Sequence, residues 1–203
     1  MKSKSSLTTL GREFFTKDAP EVAKQLIGCH LYVGQGSNRR GGIIVETEAY
    51  CQDDPASHSF RGETPRNQAM FQGPGTIYVY RSYGVHLCLN FVTGCTGDGQ
   101  AVLVRAIEPT HGIDLMAQSR GLSPTRRKDL ASGPGKLSQA LGISMEFNLQ
   151  SIFDQKLTLQ SGESLRTLAC PRIGISKAKE RPWRFVADNN AYLSKQPQKG
   201  ATL

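Results

Sequence analysis

Strand-like stretches broken by turn residues constrain this chain more than any other feature. Gly42-Ile43-Ile44-Val45-Glu46-Thr47-Glu48-Ala49-Tyr50 is β-branched and then alternating. Thr76-Ile77-Tyr78-Val79-Tyr80 continues, after Arg81-Ser82-Tyr83-Gly84, into Val85-His86-Leu87-Cys88-Leu89-Asn90-Phe91-Val92. A third stretch, Ala101-Val102-Leu103-Val104-Arg105-Ala106-Ile107-Glu108, is expected to end at Pro109. The Gly84 break and the turn-rich Thr93-Gly94-Cys95-Thr96-Gly97-Asp98-Gly99 connection predict antiparallel neighbours, because parallel strands need a longer crossover. Helical patterning is more modest. Asp18-Ala19-Pro20-Glu21 reads as a capping box opening a helix that uses Val22, Ala23, Leu26 and Ile27 and stops at Gly28. Two further helices are expected over residues 111–119 and 134–141. No repeat and no long linker divides the chain. The pattern predicts one α+β domain over residues 1–203, a curved antiparallel β-sheet flanked by helices with a protruding β-hairpin. Residues 1–10 and those from about 187 to 203 are expected to be frayed.

Composition narrows the partners. The 203 residues carry 25 Lys and Arg against 17 Asp and Glu, a net charge of +8. Apolar content of 38% supports a packed core and argues against disorder. No apolar run reaches the roughly 18 residues of a spanning helix, and Met1-Lys2-Ser3-Lys4-Ser5-Ser6 leads into no apolar signal segment. The positive surplus points to nucleic acid, a phosphorylated ligand or an anionic membrane surface, unless it is incidental. Cys29, Cys51, Cys88, Cys95 and Cys170 are odd in number, scattered and without C-x-x-C spacing. They predict no disulfide framework and a reducing, cytoplasmic setting. His30, His58, His86 and His111 form no H-E-x-x-H or paired ligand spacing, so neither a metal nor an iron–sulfur cluster is expected.

The densest chemistry lies between Glu46 and Asn90. Strand periodicity puts Glu46, Glu48 and Tyr50 on one face, where burial would demand ion partners. The alternative is a one-sided sheet with this face in water. Arg105 interrupts an apolar run and needs a buried anion, for which Glu48 or Glu46 is the candidate. Tyr78 and Tyr80 share a face, ordinary core being the plainer reading for at least one of them. Tyr83, before Gly84, is placed to project from a turn and stack on bases. Ser132-Gly133-Pro134-Gly135-Lys136 before a helix offers N–H groups and a lysine to a phosphate, without the Walker A spacing. Arg66 and Asn67 are further phosphate candidates. Arg120, Arg126, Arg127 and Lys128 form one basic cluster, and Lys177, Lys179, Arg181 and Arg184 a second.

Taken in order, these residues resemble a known family. Val45-Glu46-Thr47-Glu48-Ala49-Tyr50, His58-Ser59, Thr64-Pro65-Arg66-Asn67, Met70-Phe71 and Pro74-Gly75-Thr76-Ile77-Tyr78-Val79-Tyr80 carry the likeness. So do Tyr83-Gly84, Leu87-Cys88-Leu89-Asn90, Val104-Arg105-Ala106, Glu108-Pro109, Ser132-Gly133-Pro134-Gly135-Lys136-Leu137 and Arg172-Ile173-Gly174. The chain resembles the alkyladenine (3-methyladenine) DNA glycosylases of the mammalian type, and its shortness looks like a bacterial member without an N-terminal extension. The resemblance implies a monofunctional hydrolase, without cofactor, that acts as a monomer on double-stranded DNA containing damaged purines. Glu48 would then deprotonate the attacking water, which Arg105 and the carbonyl of Ile173 help to hold. Tyr50 would stack on one face of the extruded base, with His58 and Tyr80 on the other. Tyr83 would fill the gap in the duplex, Asn90 would crowd the exocyclic amine of normal guanine, and Lys136 would neutralise a phosphate. A non-catalytic nucleic-acid-binding domain is the main rival. It has no use for Glu48 and Arg105 together on strands. An enzyme of phosphorylated metabolites is disfavoured by the missing phosphate loop.

Overall fold

The computed structural model describes residues 7–154 and 156–197. The expected frayed ends therefore fall partly outside the described residues, at 1–6 and 198–203. The elements run α1 (Arg12–Phe15), α2 (Ala19–Gln25), β1 (His30–Val33), β2 (Arg40–Tyr50), β3 (Ile77–Ser82), β4 (His86–Thr93) and β5 (Gln100–His111). After these come α3 (Ile113–Arg120), α4 (Arg127–Leu130), α5 (Pro134–Leu141), β6 (Leu157–Gln160), β7 (Thr167–Cys170) and β8 (Arg184–Ala187). Among the described residues, eight strands form one open, wholly antiparallel sheet in the order β3-β4-β5-β2-β1-β6, with β8 also paired to β2 and β7 to β8. The predicted α+β class and antiparallel sheet are what the chain adopts.

β2 is the axis of the sheet. One edge pairs with β5 along most of its length; the other is shared by β1, opposite Arg40–Ile43, and β8, opposite Glu46–Glu48. The β2–β5 register skips Val45 on one strand and Arg105 on the other. Such bulges re-aim a side chain, and here they do so beside the two glutamates. Beyond the bulge the alternation holds. Val45, Thr47 and Ala49 are buried on one face, where the Thr47 hydroxyl donates to the Ala23 carbonyl of α2 at 2.8 Å. Glu46 and Glu48 are buried on the other. The face is dry, so the water-facing alternative fails.

Helices close both ends of the core. α2 buries Ala19, Val22 and Ala23, and α5 lays Leu137, Ala140 and Leu141 against β4 and β5. Each fully buried leucine contributes about 1.5–3 kcal/mol of apolar burial. A Cβ added at Gly135 would lie 2.9 Å from the Cβ of His86, so this glycine lets the start of α5 reach the tip end of the β3–β4 hairpin, where His86 pairs with Ser82.

Several local expectations are corrected. The Asp18 side chain makes no cap; the Ala19 N–H donates instead to Gln100 Oε1 at 3.0 Å, a tertiary bond that no capping pattern encodes. β5 does not stop at Pro109 but runs to His111. Pro109 faces Gly42 where the register shifts, and there a residue without an N–H is tolerated. The helix expected over 111–119 accordingly begins at Ile113. α1, whose Phe15 is fully buried, was not anticipated. The ends are less frayed than expected. Leu10 N–H donates to Leu159 at 3.0 Å, and the tail remains bonded to the core through Ser194, whose N–H meets Glu46 at 2.6 Å, and Lys195, whose carbonyl accepts from Arg184. Its polar residues serve buried ions rather than solvent.

Candidate active site

A cavity of about 420 Å³ opens beside the β3–β4 hairpin. Tyr50, His58, Tyr80, Tyr83, Asn90, Arg66, Arg105 and Ile173 all line it, together with Met70, Cys88, Leu103 and Pro134. The sheet thus brings together residues from across the chain that the sequence had singled out separately. Lys136 is exposed in the first turn of α5, two residues from Pro134 on the cavity wall.

Glu48 lies just behind this wall and is 0% exposed. Three lining residues donate to it. Arg105 Nη1 reaches Oε2 at 3.1 Å, Tyr50 Oη reaches the same oxygen at 2.8 Å, and the Ile173 N–H reaches Oε1 at 2.7 Å. The peptide at Ile173 therefore offers its N–H to the carboxylate, a contact the sequence reading had not foreseen. A carboxylate accepts about four hydrogen bonds. Three donors among the described residues leave one acceptor position unused. Burial pushes the Glu48 carboxyl above the ordinary range, against the pull of Arg105, Ile173 and Tyr50. Burial, followed by the Glu48 charge, pushes the Tyr50 phenol well up, so it stays an O–H donor at neutral pH.

Arg105 spans both carboxylates, with Nε on Glu46 Oε1 at 2.8 Å and Nη1 on Glu48. Sequence reasoning left the partner open between the two, and the bulge lets one guanidinium take both. Burial raises the Glu46 carboxyl, but the Arg105 and Arg184 guanidiniums outweigh it and hold the group below the usual range. Arg184, expected in a surface basic cluster, is in fact buried on β8 with Nε 2.8 Å from Glu46.

The aromatic walls are fixed from behind. The Arg172 guanidinium sits 4.7 Å from the Tyr50 ring centroid and forms a buried two-pronged pair with Asp54, through Nη1 to Oδ2 and Nη2 to Oδ1. It also donates to the Ala49 carbonyl at 2.9 Å. Opposite, Tyr80 stacks on Tyr78 at 5.4 Å, and the His58 ring stands edge-on to Tyr80 at 4.6 Å. His58 Nδ1 is 2.9 Å from the Tyr78 hydroxyl. Burial, reinforced by Arg66, pushes the His58 imidazole down, and burial pushes Tyr78 up to about 12, so both are neutral at pH 7. Asn90 spends its amide N–H groups on the Tyr78 and Cys88 carbonyls at 3.0 and 3.3 Å, which locks its orientation. Asn67 is not free for a phosphate. It is buried and ties Thr64 to the His58 and Gly62 carbonyls. Arg126 is paired with Asp129, Arg181 with Asp53.

Tyr83 is 89% exposed at the hairpin tip, with φ of 49° followed by 73° at Gly84. Positive φ at two successive residues is the requirement of a type I′ hairpin turn, and a bulky residue there is strained by about 1–3 kcal/mol.

The methylpurine-DNA glycosylase family model matches residues 13–191, which include every residue of this cavity. The chain belongs to that family. Relatives with the provisional name 3-methyladenine DNA glycosylase agree across nearly the whole chain. One from Nitrosospira multiformis is 50% identical over 182 residues, covering 89% of this chain and 91% of its own. Another from Rhodopseudomonas palustris is 49% identical over 187 residues, covering 92% and 88%. One from Methanoculleus marisnigri is 46% identical over 194 residues, covering 93% and 100%. Membership of the methylpurine-DNA glycosylases makes the chain a hydrolytic DNA glycosylase and DNA its substrate. No helix among the described residues is long and apolar enough to cross a membrane.

Proposed function

We propose that this chain turns an alkylated or deaminated purine out of duplex DNA and hydrolyses its N-glycosidic bond with a water activated by Glu48. The observation that carries the reading is the buried carboxylate, gripped by three donors with one acceptor position to spare, behind a cavity walled by Tyr50, Tyr80 and His58. A base inside the stack exposes no reactive face, so extrusion comes first, and damaged pairs lower its cost of a few kcal/mol. Tyr83 fills the vacated stack, while Arg66 and Lys136 hold phosphates. In the cavity the base lies between Tyr50 on one face and His58 with Tyr80 on the other. Cationic bases gain about 0.5–2 kcal/mol from each aromatic face. Asn90, locked by two carbonyls, stands as a rigid obstacle to the exocyclic amine of guanine.

Glu48 takes a proton from the water as its oxygen bonds to C1′, and the C1′–N bond breaks with its electron pair leaving on the base. The carboxylate also steadies the oxocarbenium-like state. Arg105 and the Ile173 peptide orient Glu48 and the water. No lysine lines the cavity among the described residues, which favours hydrolysis over a Schiff base and leaves an abasic site, the start of base excision repair. 3-Methyladenine, 7-methylguanine, hypoxanthine and ethenoadenine form the substrate class, and the chain works as a single-domain monomer in the cytoplasm. Incubation with duplexes carrying one such lesion, followed by hot alkali, should cut the lesion strand at the lesion. Intact strands for all four lesions, with the duplex bound, would overturn the proposal.

A further inference from the structure

The segment after β8 returns across the sheet and ends against the ion pairs behind the cavity. Leu193 anchors it in the core. The Tyr192 N–H is held by Asn190 Oδ1 at 2.8 Å, and Gln196 Nε2 donates to the Asn190 carbonyl at 3.0 Å, which shapes the turn. Ser194 then meets Glu46 twice, its N–H on Oε2 at 2.6 Å and its hydroxyl on Oε1 at 2.7 Å. The same hydroxyl oxygen accepts Arg105 Nη2 at 3.3 Å. Arg184 donates to the neighbouring Lys195 carbonyl.

The Arg105 guanidinium consequently has three anchors, one per nitrogen: Nε on Glu46, Nη1 on Glu48 and Nη2 on Ser194. Because it bridges two carboxylates, any drift toward Glu46 is a drift away from Glu48. Ser194 opposes that drift. It satisfies Glu46 with two donors of its own and holds the outer nitrogen of the fork. We propose that Ser194 is a positioning residue for hydrolysis: acting through Glu46 and Arg105, it fixes the guanidinium against Glu48, so that the C-terminal segment belongs to the catalytic machinery. The inference rests on the reading of Glu48 as the base.

The charged and titratable groups facing Glu48 are Arg105 from β5, Tyr50 and Glu46 from β2, Tyr80 from β3, Cys88 from β4, Cys170 from β7, and Arg172. Of these, Ser194 touches Arg105 and Glu46. With the hydroxyl gone, Arg105 leans toward Glu46 and Glu48 loses part of the charge that keeps it ionised. Its base form then requires a higher pH.

Single-turnover excision from a duplex with one 7-methylguanine tests this. That base is already cationic and needs no proton to leave, so the acid limb of the profile reports the base alone. Ser194→Ala should lower the neutral-pH rate about tenfold, move the acid limb upward and leave duplex affinity unchanged. Ser194→Thr, which keeps N–H and hydroxyl, should restore both. If alanine does not fold, the near-isosteric Ser194→Cys, a weak donor, must show the same two changes. A parental rate and acid limb in the folded variant, or a lower melting temperature alone, would overturn the inference. Glu48→Gln in the same series separates the two readings. If it is inactive while Ser194→Ala behaves as parent, only the positioning role falls; if it retains the parental rate, the base assignment falls first.

Discussion

At the scale of single residues, two nearby glutamates are driven in opposite directions. Glu46 is bonded by two guanidiniums and is held below the usual carboxylate range despite its burial; Glu48 is bonded by one and is pushed above it by burial. Two carboxylates pushed apart by their surroundings fit the proposed division between a structural ion and a titrating base. Glu46 therefore contributes stability above its unfolded pKa that is lost as pH falls through the lower folded value. Glu48 behaves oppositely, since a raised folded value favours the protonated form and its contribution to stability is lost as pH rises. In the proposed mechanism its ionised form is the active one. The 7-methylguanine excision rate should fall as pH drops through a value above the ordinary glutamate range; an acid limb at or below that range would contradict this. Tyr83 gives a second prediction. Asparagine tolerates positive φ better than tyrosine, so Tyr83→Asn should raise thermal stability, by about 1 kcal/mol, and weaken binding to lesion duplex. A variant with lower stability and unchanged binding would show the strain to be unrelated to contact.

Elements carry what single residues cannot show. That Glu48 and Arg105 would matter was legible in the sequence, because a carboxylate and a cation inside strand-like runs must find each other. Their geometry was not, because the skipped residues Val45 and Arg105 depend on the register between β2 and β5. The hairpin and α5 were legible from Gly84 and from Pro134 with its apolar spacing. The further partners of Glu46 beyond Arg105 were not, since Arg184 and Ser194 lie 138 and 148 residues away. Asp54 likewise reads as one acid in a turn, yet it anchors the Arg172 that backs Tyr50 and precedes the Ile173 N–H. Removing one partner of a buried pair strands the other charge. Asp54→Ala should cost about 3–5 kcal/mol in a denaturant titration, with excision falling further than unfolding explains because two donors to Glu48 lose their support. A loss under about 1 kcal/mol would show that the pair is not holding this wall.

For the whole molecule, the surplus of +8 becomes a statement about binding once buried cations are set aside. Arg105, Arg172 and Arg184 neutralise internal acids and cannot meet a phosphate, whereas Arg66 and Lys136 are exposed around the cavity. Duplex affinity should fall linearly on a log–log plot against salt, and Arg66→Ala or Lys136→Ala should each make the slope shallower by about 1. An unchanged slope would remove that residue from the phosphate contacts. In the proposed mechanism catalysis belongs to Glu48 while capture of the DNA belongs to the surface. Single-turnover excision by Glu48→Gln, measured beside its affinity for the same lesion duplex, tests it most directly. The account predicts a loss of at least about 100-fold in rate with affinity retained; a parental rate from a folded, DNA-bound Glu48→Gln protein would contradict it.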